Sequence, residues 1–111
     1  MSEIRELSVE FFKVLADQTR LEILYSLKER SLTQSEIQEK LEKTQSTISQ
    51  HLNRLRNANL IESELYDNVN HYKIKNPEIF EMLNQFQVFI LKTNKERLSG
   101  IYDYDRVDTL F

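Results

Sequence analysis

A chain of 111 residues with 40% hydrophobic and 30% charged side chains has the size and composition of one soluble domain with a modest core. Zero cysteines exclude a disulfide framework, a thiolate metal site and a thiol redox sensor, and permit the default expectation of a cytoplasmic location. The net charge of −3 argues at first sight against a nucleic-acid partner, and the chain lacks both an apolar run near the roughly 20 residues of a membrane span and a signal-peptide-like N-terminus. With a single Gly (Gly100) and a single Pro (Pro77), turns that need φ > 0 fall to Asn or Asp and helices can run unbroken. A mostly α protein is predicted.

Ile4, Leu7, Phe11 and Leu15 recur at helical spacing, widened by Phe12 and Val14, and predict a first helix over about 3–15. Asp17 is an N-cap for a second helix through Lys28, with Leu21, Leu24 and Leu27 facing inward. Thr33 and Glu36 have the spacing of a capping box, which starts a third helix with Ile37 and Leu41 inward. Glu42 and Lys43 make a turn. Thr44 then caps a fourth helix whose stripe is Ile48, Leu52 and Leu55. Two short helices joined by a tight turn are the arrangement of a DNA-binding helix-turn-helix, whose second helix enters the major groove.

Asn59 suits the left-handed residue that closes the fourth helix. Beyond it, Ile61, Ser63 and Leu65 alternate with Glu62, Glu64 and Tyr66, and Tyr72 and Ile74 with His71, Lys73 and Lys75, on either side of DNVN. That period of two predicts a small β-hairpin with Ile61, Leu65, Tyr72 and Ile74 inward. Its outward pairs are Glu62 with Lys75, Glu64 with Lys73, and Tyr66 with His71. Asn76, Pro77 and Glu78 then read as cap, first position and first-turn acid of a helix to about Leu98, ended by Gly100. Its stripe of Ile79, Leu83, Phe86 and Ile90, widened by Met82 and Phe89, exceeds what packing against one small domain requires. A dimer interface formed by Ile4, Leu7, Phe11, Ile79, Leu83, Phe86 and Ile90 is the favoured use of these faces, intramolecular core being the plainer one. The domain is expected to span 1–98, terminal helices included. The tail 99–111 fits an added strand, a clasp or a disordered end equally well.

With Ile48, Leu52 and Leu55 inward, a rotation of about 100° per residue turns Ser46, Gln50, Asn53 and Asn57 outward, flanked by Thr47, Ser49 and Arg54. Gln and Asn can pair with adenine and Arg with guanine, while Ser and Thr can meet bases or phosphate. The N–H groups of Gln45, Ser46 and Thr47 at the helix start suit phosphate. Any exposed helix is solvated by such side chains, so the residue types alone do not decide. The charge distribution does: residues 43–59 carry Lys43, Arg54 and Arg56 with no acid, in a chain otherwise rich in acid.

His51, at the stripe's edge, is expected to bond backbone or phosphate and to assist Gln45 there. Two histidines without cysteine make no convincing zinc site, so no metal or cofactor is expected. On the hairpin, Asn68, Asn70 and Lys73 are candidate DNA contacts, although facing acids make structural pairing the more natural role for Lys73.

The stretches FFKVLADQTRLEILYSL (11–27), LTQSEIQEKLEKTQSTISQHLNRLRNANLIES (32–63) and HYKI (71–74) resemble the ArsR family of winged helix-turn-helix repressors. The resemblance implies four helices, a two-stranded wing and a fifth helix, with dimerisation through the terminal helices. It further implies operator binding by a homodimer on a palindrome, and release by an inducer that is often a metal ion. The chain departs from the family's metal-binding patterns: Thr33, Gln34, Ser35 and Glu36 occupy the region of the cysteine cluster, and residues 77–111 hold no His. Gln18 stands where Pro is usual, and Asn59 where Gly is. The rival reading is a winged helix that contacts protein rather than DNA. An enzyme is disfavoured, since no glycine-rich phosphate loop, nucleophile elbow or catalytic pair is present.

Overall fold

The computed structural model describes residues 2–99, so the tail and the expected helix stop at Gly100 lie outside the described residues. Two compact units, Met1–Asn76 and Pro77–Phe111, divide the chain. Among the described residues no helix is long and apolar enough to cross a membrane.

The first unit contains α1 (Ser2–Leu15), α2 (Gln18–Ser26), β1 (Leu32–Thr33), α3 (Gln34–Leu41), α4 (Gln45–Asn57), β2 (Ile61–Tyr66) and β3 (Val69–Ile74). Its helices start where the capping residues stand. Asp17 accepts the Arg20 N–H at 3.0 Å. Thr33 and Glu36 bond reciprocally, Glu36 N–H to Thr33 Oγ1 at 3.2 Å and Thr33 N–H to Glu36 Oε1 at 2.9 Å. Thr44 Oγ1 accepts the Thr47 N–H at 3.2 Å. Between α3 and α4, Glu42 takes the left-handed conformation (φ 55°), and the Lys43 N–H returns to Gln38 O at 3.2 Å. That satisfies a last-turn carbonyl and reverses the chain in two residues.

α2, α3 and α4 pack on one another. Ile23, Leu24, Ile37, Ile48, Leu52, Leu55 and Ile61 are fully buried. α2 ends at Ser26 rather than Lys28: the Leu27 N–H is shared between Ile23 O and Leu24 O, and the Lys28 N–H bonds three residues back to Tyr25 O, which tightens the helix to a close. Leu21 is only half-buried, and Ile23, outside the expected stripe, is fully enclosed. In α1 only Val14 and Leu15 are buried, while Ile4, Leu7 and Phe12 are exposed.

The sheet has three strands in the order β1-β3-β2, all antiparallel. β1 was not expected from the sequence, since two residues carry no alternation. Leu32 pairs with Tyr72 and Thr33 with His71, so α3 is capped directly from the sheet edge. The hairpin register differs by two residues from the expected one: Glu62 pairs with Lys73, Glu64 with His71 and Tyr66 with Val69. The cause is the turn. Asp67 (φ 51°) and Asn68 (φ 63°) both adopt the left-handed conformation and close a two-residue connection whose twist suits the strands, where a four-residue DNVN loop was expected. A slip of two leaves each side chain on its expected face. Ile61 is buried on that face, Tyr72 and Ile74 are half-buried, and Leu65, expected inward, is exposed beyond the reach of the core.

In the second unit, α5 (Glu78–Thr93) begins with Pro77 at its cap position, one residue later than expected. It does not run to Leu98. Thr93 Oγ1 turns back to Phe89 O and Ile90 O, and Asn94 Nδ2 donates to Ile90 O at 2.8 Å. These side-chain bonds compete with helix propagation, and a separate single turn, α6 (Lys95–Leu98), follows. The buried line of α5 is Ile79, Leu83, Gln87 and Leu91, at intervals of four. Phe86 and Ile90, placed by the sequence on the same stripe as Ile79 and Leu83, are exposed together with Phe89.

Candidate nucleic-acid interface

The surface of α4 is built from beneath by Ile48, Leu52 and Leu55, whose enclosure fixes the helix's rotation. Gln45, Ser46, Gln50, Asn53, Arg54, Arg56 and Asn57 are consequently exposed, and Thr47, Ser49 and His51 lie half-buried at the margins. Arg54 and Arg56 stand in the last turn, and the first turn contains no acid. Two polar groups are already engaged. Asn53 Oδ1 accepts from Arg56 at 3.1 Å, which steadies both side chains. The Thr47 N–H, one of three expected phosphate donors, is taken by the Thr44 cap. Gln34 Nε2 donates to Gln45 O at 3.3 Å, tying α3 to the start of α4.

On the wing, Asn68 and Asn70 are exposed, with Asn68 at the turn. Lys73 is held between Glu64 at 3.4 Å and Glu62 at 3.7 Å. Lys75, expected opposite Glu62, donates instead to Asn59 Oδ1 at 3.4 Å. The charge of Lys73 is thus offset by the wing's own acids, while Lys75 is engaged by a neutral amide. Of the residues expected at a dimer interface, Ile4, Leu7, Phe86 and Ile90 are exposed and Phe11 is half-buried, but Ile79 and Leu83 are buried within the single chain and offer no surface.

His51 is half-buried and lies against side chains of α2 and its cap. Its Nδ1 lies 3.1 Å from Arg20 and its Nε2 3.9 Å from Asp17 Oδ1. Burial alone would raise the Asp17 carboxyl, but the Arg20 N–H, the nearby His51, the Arg20 guanidinium and the Thr19 N–H together outweigh it and hold the group below the usual carboxylate range. Arg20 went unremarked in the sequence reading; a charged residue one position before Leu21 gives no sign that it is buried. Among the described residues no three His, Asp or Glu side chains are grouped to hold a metal ion.

Residues 17–63 match the model of the bacterial regulatory protein arsR family. This segment runs from the Asp17 cap into β2 and contains the whole helix-turn-helix. The arsenical resistance operon repressor of Bacillus subtilis is 39% identical over 76% of this chain and 81% of the relative. The regulator KmtR of Mycobacterium tuberculosis is 34% identical over 69% of this chain, which spans 59% of that longer protein. Among solved structures, Rv0081 of M. tuberculosis superposes with a TM-score of 0.78 at 30% identity, covering 86% of this chain and 97% of its own. With this fold, this helix-turn-helix and these relatives, the chain belongs to the ArsR family and is a winged helix-turn-helix transcriptional regulator.

Proposed function

We propose that the chain acts in the cytoplasm as a homodimeric repressor that reads a palindromic operator with α4 of each subunit. The observation that carries this is the exposed, acid-free face of α4, fixed in rotation by three enclosed aliphatic side chains. Ser46, Thr47, Ser49, Gln50 and Arg54 meet base edges, with Asn53 beside them. The N–H groups of Gln45 and Ser46 meet phosphate at the helix start. Asn68 and Asn70 of the wing follow the neighbouring backbone, and Lys73 contributes little while Glu62 and Glu64 hold it. Two recognition helices about 34 Å apart match successive major grooves. The exposed apolar residues of α1 and of α5 supply faces for pairing. The repressor role rests on the likeness to the arsenical resistance operon repressor.

Binding of the purified chain to random duplex DNA across a salt series tests the reading. The logarithm of the affinity should fall linearly with that of salt, by about 0.9 per neutralised phosphate. Absence of any binding at low salt would overturn it. One observation favours a protein-contacting winged helix instead: Leu65, Tyr66 and Val69 are exposed together at the wing tip. A salt-insensitive chain would support that alternative.

A further inference from the structure

Arg20 is a strong base only 7% exposed, and its fork has three partners. Nε–H donates to Val14 O, and one terminal nitrogen donates to Lys13 O at 3.1 Å, both carbonyls in the last turn of α1. The other terminal nitrogen lies 3.1 Å from His51 Nδ1. A guanidinium has donors and no acceptor, so Nδ1 must accept and carry no proton. In the neutral ring the proton then sits on Nε2, on the side of Asp17 Oδ1, 3.9 Å away. The end of α1 and the middle of α4 are joined through the Arg20 guanidinium, with the Asp17 cap of α2 beside the ring, and the joint to α4 requires a bare Nδ1.

We propose that His51 is a positioning residue whose neutral, Nε2-protonated ring, gripped by Arg20, locks the middle of α4 to the end of α1 and the start of α2, and so steadies the aim of Gln50 and Arg54 on a helix whose rotation the aliphatic stripe already sets. Protonation of Nδ1 replaces an acceptor with a donor and sets an imidazolium against the guanidinium. Asp17 offsets part of that repulsion but cannot restore the acceptor. Of the other charged groups on the elements packed around it, Glu10 of α1 pairs with Lys13, Glu36 of α3 with Arg30, and Glu62 and Glu64 of β2 with Lys73; Glu3, Arg5 and Glu6 of α1 and Glu39 and Lys40 of α3 are exposed to solvent, and Glu22 of α2 is half-buried. Protonation of this ring therefore lowers the DNA affinity of the native chain, against the usual gain from added positive charge.

Because the proposal rests on the DNA-binding reading, its test includes a measurement made without DNA. In nitrogen-15 NMR of the free full chain at about pH 8, where a free imidazole is neutral, His51 should show the Nε2–H tautomer. A proton on Nδ1, or a mixture of tautomers, would overturn the proposal. Affinity for a random-sequence duplex is then followed as the pH is lowered from about 8 to about 5.5. His51→Ala should bind on the order of tenfold more weakly at the upper pH, as loss of a charge-assisted bond implies. His51→Asn restores an acceptor near the position of Nδ1 and should rescue binding with a flatter pH profile than the native chain. Native, Ala and Asn forms with superimposable profiles would overturn it. If no form binds the duplex, the functional reading fails, and backbone amide protection of α4 decides: a loss in His51→Ala that His51→Asn restores supports the proposal, and unchanged protection overturns it.

Discussion

Arg54 is exposed on the last turn of α4, one turn beyond Gln50 and clear of the ion pairs that hold the wing's Lys73. Arg54→Ala should weaken operator binding by about 1–3 kcal/mol if the fork pairs with guanine, and by less, without sequence preference, if it meets phosphate. Fluorescence anisotropy against operator and scrambled duplexes separates the two, and unchanged binding removes Arg54 from the site. Its exposure was legible in the sequence, because the stripe of Ile48, Leu52 and Leu55 dictates which residues of the same helix face away. The environment of His51 was not. An edge position on a helical wheel does not reveal that an arginine from another helix lies against the ring.

The starts of α2, α3 and α4 followed from local chemistry, because a side chain caps the backbone at each. Thr33 with Glu36, Thr44, and Asp17 each cap the helix they were expected to cap. Thr44→Ala should cost about 1 kcal/mol of stability, since the Thr47 N–H then loses its acceptor, and thermal unfolding followed by circular dichroism measures it. The same variant should bind DNA more weakly through fraying of the end that carries Gln45 and Ser46. The hairpin shows where local reading stops. Alternation fixed which face each residue takes but not the register, because both candidate turns preserve the faces. The positive φ of Asp67 and Asn68 selected the tighter one. The break at Asn94 was equally hidden: apolar spacing continues through it, and only the return of the Thr93 and Asn94 side chains to the preceding turn ends α5.

Across the whole molecule, apolar side chains exceed what the single chain buries. Ile4 and Leu7 on α1 are exposed to 61% and 65%, and Phe89 and Ile90 on α5 to 63% and 51%. Such faces on two separate elements suit association with a second copy. Leu7→Glu or Ile90→Glu should raise the dimer dissociation constant about tenfold or more, read by sedimentation across a concentration series. A native chain that sediments as a monomer throughout would remove the dimer. What the sequence by itself determined was the order of the main elements, the caps of α2, α3 and α4 and the outward side of α4, because periodicity and capping act within a few residues of the chain. Only the tertiary structure decided that Arg20 is buried against His51, that Ile79 and Leu83 are enclosed while Phe86 and Ile90 are not, and how the wing's strands align. The burial of these side chains depends on which distant groups exclude water from them, and the alignment of the strands on the backbone conformation of the turn; apolar spacing records neither.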